Sequence, residues 1–427
     1  MSVSVVCGVN WGDEGKGRMV DYLAQDADVV VRYQGGSNAG HTVVNDRGTF
    51  KLHLVPSGIF NPGVVNVLGP GMVIDLQALC EELEGLRQGG IDVSNVLVSD
   101  RATVCFPFNR DEDGWEEERL GKGAFGSTRR GIAPAYGDRA VKKAVQLGDL
   151  RHPARLRHVL ERLVAWKALV ARGVYGKGGA VTVEKALEWA ETWGGRLLPL
   201  ICDTTPVLEA AARSGKRVLL EAQLGALRDL TYGIYPYTTS SSTLAAFAPV
   251  GAGLFGRPVE RVVGVVKAFS TCVGAGPFVT EMAEEEAAAL RESAGEYGAS
   301  TGRPRRIGHF DALASRYGAE VQGTTELALT KLDSLTGRDR LLVATHYEVD
   351  GQPVHRFPLN AVLESARPVY ESMAGWREDV SVCRRFDELP EAARAYVLQI
   401  EALVRCPIRW ISVGPERHSL IDRANVS

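Results

Sequence analysis

No run of uninterrupted apolar residues approaches the ~18–20 needed to cross a bilayer, so a membrane-spanning chain is not expected. The opening stretch MSVSVVCGVN has neither a basic leader nor a long apolar core. It therefore reads as a first strand and not as a secretory signal. Cysteine is sparse and scattered: Cys7, Cys80, Cys105, Cys202, Cys272, Cys383 and Cys406. The count is odd, with no CxxC pair and no zinc spacing, which excludes a disulfide framework and points to buried thiols of a reducing cytoplasm. Neither sign of charge dominates. The 49 Lys and Arg against 52 Asp and Glu leave a formal charge of −3. A broad nucleic-acid or anionic-membrane surface is excluded on that balance, although one local basic pocket is not. Repeats and low-complexity linkers are absent as well.

What is abundant is glycine, 47 of 427 residues, well above the usual ~7%. Without a G-X-Y period, the excess implies loops that approach a partner closely. The length suggests about three domains or one large α/β unit. Short β-branched runs alternate with helical patterns. Strands are expected at Val3–Cys7, Asp28–Tyr33, Val64–Leu68, Asn95–Val98, Arg217–Glu221, Arg261–Phe269, Leu327–Lys331, Leu341–Tyr347 and Ile408–Val413, and helices at Lys16–Leu23 and near Asp75–Gln88. Runs this apolar suit strands covered on both faces. The expectation is an α/β fold, one domain over residues 1–427 around a mostly parallel sheet with helices on both faces. A helical subdomain is expected at about 149–215, with helices at Arg155–Ala171, Val183–Trp193 and Thr205–Ser214. The charged stretch Asp111–Gly123 reads as a solvated turn.

The first strand feeds directly into Gly8-Val-Asn-Trp-Gly12-Asp13-Glu14-Gly15-Lys16-Gly17. A strand, a glycine-rich turn and a helix make an anion site, because free backbone N–H groups and the helix dipole face the anion. Lys16 adds a point charge for phosphate oxygens. The spacing differs from the standard phosphate loop, and Gly17 stands where a Mg²⁺-binding hydroxyl is usual. Asp13 can supply a hard oxygen ligand in its place.

Asn10–Arg18 (NWGDEGKGR) resembles the signature of the adenylosuccinate synthetase family. The resemblance continues through RYQGGSNAGHT (32–42), GSTRRGIAPAYGD (126–138), YGIYPYTTSSST (232–243), VGAGPF (273–278), STGRPRR (300–306), TKLD (330–333) and SVGPER (412–417). It implies a GTP-dependent ligase that joins IMP and L-aspartate into adenylosuccinate, releasing GDP and phosphate through a 6-phosphoryl-IMP intermediate. Such chemistry needs a base near purine N1, an acid or cation at the phosphoryl group, and Mg²⁺.

The resemblance assigns Asp13 as base and metal ligand, His41 as acid and Lys16 as a third catalytic group. The Gly40 carbonyl completes the metal site. GTP is expected on Gly12, Asp13, Glu14, Gly15, Lys16, Gly17 and Arg18, on Gly40, His41 and Thr42, and on Arg305. Lys331, Leu332 and Asp333, with Ser412, Val413 and Gly414, would surround its base. TKLD is similar to the NKxD element, in which an aspartate accepts from the guanine N1 and N2 donors. IMP is expected on Asp13 to Lys16, on Asn38, Ala39, Gly40 and His41, on Thr128, Lys142, Thr239 and Arg303, and at Gln223 and Leu224. Ser300, Thr301, Gly302, Arg303, Pro304, Arg305 and Arg306 form a cationic loop implied to clamp the aspartate carboxylates.

Some positions depart from the family pattern. Asn10 stands for glutamine, and Ser37 for histidine or asparagine. Glu221-Ala-Gln-Leu-Gly225 places Leu224 where an IMP-binding glutamine is usual, with Gln223 one place earlier. On a strand end one residue reverses the face, so either a bulge restores the contact or IMP loses a hydrogen bond. Lys142 replaces an arginine that reaches the partner's IMP in a homodimer, keeping charge but not the planar fork. The substrates implied are IMP, L-aspartate and GTP, with no nucleic acid and no membrane, in the cytoplasm. Two alternatives stay open. One is the same chemistry on a related purine monophosphate. The other is a GTP-binding switch, which explains the phosphate loop and TKLD but neither the His41 loop nor the arginine loop.

Overall fold

The computed structural model describes residues 2–178, 181–298 and 302–425. Its central sheet has ten strands: β1 (Val3–Gly8), β2 (Val29–Arg32), β3 (Val65–Leu68), β4 (Val96–Ser99), β5 (Ile201–Cys202), β6 (Val218–Glu221), β7 (Arg261–Lys267), β8 (Glu326–Thr330), β9 (Ile408–Ser412) and β10 (Leu420–Asp422). Across the sheet the order is β10-β9-β8-β7-β1-β6-β2-β3-β4-β5. Every pairing is parallel except β9 with β10. The helices used below are α1 (Lys16–Leu23), α2 (Leu76–Gln88), α3 (Pro107–Leu120), α4 (Ile132–Ala140), α5 (Pro153–Gly173), α6 (Val183–Leu197), α7 (Thr204–Arg213), α8 (Ala248–Ala252), α9 (Glu284–Ala294) and α10 (Ala312–Gln322).

The near-continuous apolar run of β1 follows from burial on both faces. Val3, Val5 and Cys7 pack with Leu208 of α7 and Ala248 of α8, while Val6 packs on the other side with Met19 and Val20 of α1. With β6 on one side and β7 on the other, β1 lies where the strand order reverses. Open α/β sheets place their ligands at the carboxyl ends of the strands beside such a point.

Three expectations change. Asp111–Gly123 is no solvated turn: α3 runs through it, started by Pro107 at its first position, with Asp113 and Glu117 buried. The predominantly helical middle contains β5, which pairs with β4 at the sheet edge. The strand expected at Leu341–Tyr347 is Arg340–Val349, and it lies outside the central sheet. It pairs antiparallel with Gln352–Val354 and Arg367–Ala374, and parallel with Phe310–Asp311. Its half-exposed pattern suits a sheet with one open face.

Asp311 caps α10, its Oδ1 accepting from Ala314 N at 2.9 Å, while Tyr347 Oη donates to its Oδ2 at 2.7 Å. Burial pushes this carboxyl up to about 6, with the Tyr347 bond only partly opposing. A carboxyl raised in the fold costs nothing while protonated in both states; as pH rises the unfolded chain ionises first while the fold keeps its proton, and stability falls until the buried group ionises too. Its contribution is therefore present below pH ~4 and lost as pH rises through about 6. Asp311→Asn is expected to gain on wild type, on the order of 2 kcal/mol, between those limits in denaturant titrations. A pH-independent difference would contradict this.

Candidate active site

The turn after β1 is braced from within. Glu14 folds back so that Oε1 accepts from the N–H groups of Asn10 (3.2 Å) and Gly12 (2.8 Å), and Oε2 pairs with Lys16 Nζ at 2.6 Å. Gly15, at φ 104°, makes the left-handed step into α1, a conformation costly for any other residue. Asp13 also has positive φ, at 57°. It stays 23% exposed, the one acid of this turn that reaches the cavity, and its Oδ2 receives Arg305 Nε (2.9 Å) and Nη2 (2.8 Å).

Arg18 is buried, and its guanidinium serves the far end of the chain. It donates to Ser412 Oγ and to the carbonyls of Glu416 and Ser419, both at 2.7 Å. Burial pulls it down to about 10 against the opposing charges of Asp333 and Glu416. One turn later Arg417 forks onto Asp21 with two contacts of 2.6 Å. Together these bonds hold the β9–β10 turn against α1.

The loop before the His41–Asn45 strand meets α1 at its first turn. A Cβ on Gly17 would lie 2.7 Å from the Cβ of His41, so only glycine lets the two elements approach this closely. His41 Nδ1 contacts Glu221 Oε1 at 2.6 Å, and Glu221 also accepts from Ser57 Oγ (2.7 Å) and Ser57 N (2.8 Å). Burial would raise Glu221, but His41, Arg32 and the Ser57 N–H outweigh it and hold it ionised. The carboxylate thus accepts from Nδ1–H, which leaves Nε2 as the acceptor nitrogen. Burial holds His41 below the ordinary histidine value despite this partner. Glu221 was missed by sequence reasoning. Its signal was an acid closing a four-residue strand that is buried throughout.

Gln223 does not line the cavity. It is buried beneath Asn38: Oε1 accepts from Arg32 Nη2 (2.6 Å) and Gly36 N (3.1 Å), and Nε2 donates to Asn38 Oδ1. The contact with IMP expected of Gln223 therefore has no place on the cavity wall. Leu224, at φ 60°, presents itself to the cavity instead. No bulge restores the polar contact.

The cavity measures about 650 Å³ and brings together Trp11, Asp13, Asn38, Thr128, Leu224 and Thr239. The acids of α3 shape the Thr128 loop. Glu117 accepts from the N–H groups of Phe125 and Gly126, both at 3.0 Å, and Asp113 accepts from Ser127 Oγ (2.7 Å) and Gly131 N (2.9 Å). That is why Asp113 and Glu117 of this charged segment are buried on one face of α3.

Beyond the carboxyl end of β8, Lys331 Nζ donates to Ala294 O at 2.7 Å, Leu332 is buried, and Asp333 Oδ1 is buried without a hydrogen-bond partner. Burial pushes Asp333 up, with Lys331 and Arg18 opposing. A buried orphan acceptor calls for a donor. Arg306 turns from the site: it pairs with Glu281, donating from Nε at 2.7 Å, and its Nη1 reaches Gly276 O at 2.8 Å. Lys142 is exposed at the end of α4 and does not line this chain's own cavity. Ser300 and Thr301 lie outside the described residues.

A profile of the adenylosuccinate synthetase family matches residues 5–421. The chain belongs to the adenylosuccinate synthetase family. It is 50% identical over 420 residues to adenylosuccinate synthetase 2 of Pseudoalteromonas translucida, covering 98% of this chain and 99% of that one. Adenylosuccinate synthetase of Caldanaerobacter subterraneus is 43% identical over 428 residues, covering 100% of both. The solved structure of fully ligated adenylosuccinate synthetase from Plasmodium falciparum superposes with a TM-score of 0.93 at 34% identity, over 99% of this chain and 100% of that one. As an adenylosuccinate synthetase, the chain is a GTP-dependent ligase that converts IMP and aspartate to adenylosuccinate in de novo AMP synthesis. The switch without ligase chemistry is thereby set aside.

Proposed function

We propose that ligation proceeds through phosphorylation of the purine oxygen, with Asp13 and His41 as the acting pair. The lactam oxygen of IMP is a poor leaving group. Asp13 takes the N1 proton, the O6 electrons attack the γ-phosphorus, and the bond from phosphorus to the GDP oxygen breaks. The aspartate amine then attacks C6, the O6–C6 bond breaks, and the surplus amine proton leaves with the released phosphate. His41 stabilises the transferring phosphoryl group. The arriving anion raises the proton affinity of its imidazole, and ionised Glu221 stabilises the imidazolium. The observation that carries this reading is the close approach at Gly17. It sets the phosphate-loop helix, which follows Asp13, against the Glu221-bound histidine.

The donor set suits Mg²⁺, which takes one or two carboxylates and completes its shell with phosphate oxygens and water. Asp13, partly exposed in the cavity, and the Gly40 carbonyl would hold it. Among the described residues no cluster of three His, Cys, Asp or Glu builds a dedicated cage. The ion would neutralise charge on the β- and γ-phosphates.

Asn38, Thr128, Thr239 and Arg303 are assigned to IMP, Asp333 to the guanine donors, and the 300–306 loop to aspartate. Lys142, exposed and outside its own cavity, is assigned to a partner's IMP across a homodimer. Residues 1–427 act as one domain, in the cytoplasm. No described helix is long and apolar enough to cross a membrane.

IMP labelled with ¹⁸O at position six tests the intermediate. The label should appear in the released phosphate, and unlabelled phosphate would overturn the reading.

A related purine monophosphate is the second reading, motivated by Leu224 in the cavity wall. Leu224→Gln is expected to lower the KM for IMP about threefold by adding one hydrogen bond. If the variant instead weakens IMP while wild type prefers dIMP or a GMP analogue in competition, the second reading stands.

A further inference from the structure

Arg305 has two anionic neighbours, and they lie on different edges of its guanidinium. Nε and Nη2 face Asp13, while Nη1 donates to Glu296 Oε2 at 2.6 Å. The backbone N–H of Arg305 also donates to Glu296 O at 3.0 Å. Glu296 is fully buried, and the same Oε2 receives Lys267 Nζ at 2.7 Å. Lys267 ends β7 beside β1 and also donates to Thr271 Oγ1 at 2.9 Å. A line of alternating charge therefore runs from the proposed base into the core: Asp13, Arg305, Glu296, Lys267.

Burying an unpaired carboxylate is costly, so the inner half of this line needs a reason. Burial would raise Glu296, but Lys267, Arg305 and Lys331 hold it at about 2, so it remains a full counter-charge. Glu296 Oε1 has no hydrogen-bond partner, so both of its hydrogen-bonded cations converge on Oε2. The pair pins one edge of Arg305 and leaves the other to exchange partners.

We infer that Glu296 and Lys267 are positioning residues that hold Arg305 by Nη1, so that its Nε/Nη2 edge can pass from Asp13 to a carboxylate of the incoming amino acid. In the free site this edge docks on Asp13. Arrival of the substrate dicarboxylate draws it away, and Asp13 is released to accept the N1 proton. Binding of the amino acid and readiness of the base are coupled through one side chain that does not leave its pivot. The inference rests on the assignment of Arg305 to aspartate.

The test compares Glu296→Gln, Lys267→Met, Lys267→Arg and Arg305→Leu in the full chain, with KM measured separately for aspartate, IMP and GTP. Glutamine keeps the shape of Glu296 but removes its charge. The first two variants should raise the aspartate KM about tenfold or more, the scale of a charged hydrogen bond, with IMP within about twofold and GTP, which Arg305 is also expected to touch, moved less than aspartate. Lys267→Arg should restore most of the loss seen in Lys267→Met. Arg305→Leu should raise the aspartate KM at least as far. An unchanged aspartate KM in Glu296→Gln with a raised one in Arg305→Leu overturns the pivot alone. An unchanged value in Arg305→Leu overturns the assignment beneath it. Parallel losses for all three substrates, or failure of both Glu296→Gln and Lys267→Arg to fold, make the pair a purely structural one and also overturn the inference.

Discussion

Asp13→Asn is expected to lower kcat by about a thousandfold, within the range of a lost general base, while GTP binding stays within a few-fold. Asparagine fills the same volume and can keep the left-handed backbone, since it tolerates positive φ better than most residues. The brace of the loop belongs to Glu14 and Lys16, not to Asp13. The turn therefore survives, and the loss falls on the proton acceptor and on one of the two groups assigned to Mg²⁺. Single-turnover transfer of γ-phosphate to IMP, together with nucleotide binding by calorimetry, separates the two. Near-normal transfer in the variant would remove Asp13 from the role of base. A loss of GTP binding equal to the loss of turnover would make it a loop residue only.

Gly17→Ser is the second large effect, and it runs against intuition. A hydroxyl at this place is what the standard phosphate loop carries. Here the added Cβ would fall 2.7 Å from His41 Cβ and 3.2 Å from Ser57 Oγ. Both neighbours are tied to Glu221, so neither can yield without breaking the group that orients the imidazole. Overpacking of this kind costs about 1–3 kcal/mol of stability. A displacement near 1 Å at the reacting centre costs about a hundredfold in kcat. The variant should fold, with a lower denaturant midpoint and kcat reduced by that order. Full activity would mean that the His41 loop moves freely on α1.

The elements nearest the site were legible because their signals are local. The glycine turn after an apolar run located β1 and α1, and α1 begins and ends where the sequence placed it. What stayed hidden depends on partners far along the chain. Glu221 meets His41 across 180 residues, and Arg18 meets Ser412 across 394. The acids of α3 looked solvated because most of their targets, the backbone N–H groups of 125, 126 and 131, carry no side-chain signature, and Ser127 is one serine among many. Gln223 could be placed one residue early, but not beneath Asn38, since Arg32 decides that contact. Ile201–Cys202 is too short to stand out as a strand, and only β4 beside it makes it one.

The staple between Arg18 and the turn after β9 has a consequence for biosynthesis. Helix α1 follows the first strand, yet the acceptors of its Arg18, at Ser412, Glu416 and Ser419, lie 394 to 401 residues further along the chain. A nascent chain emerging from the ribosome carries the phosphate loop for most of its synthesis without the clasp that seats it. A chain that ends before the turn after β9 should therefore hold α1 less firmly and bind GTP more weakly, with every residue of the phosphate loop present.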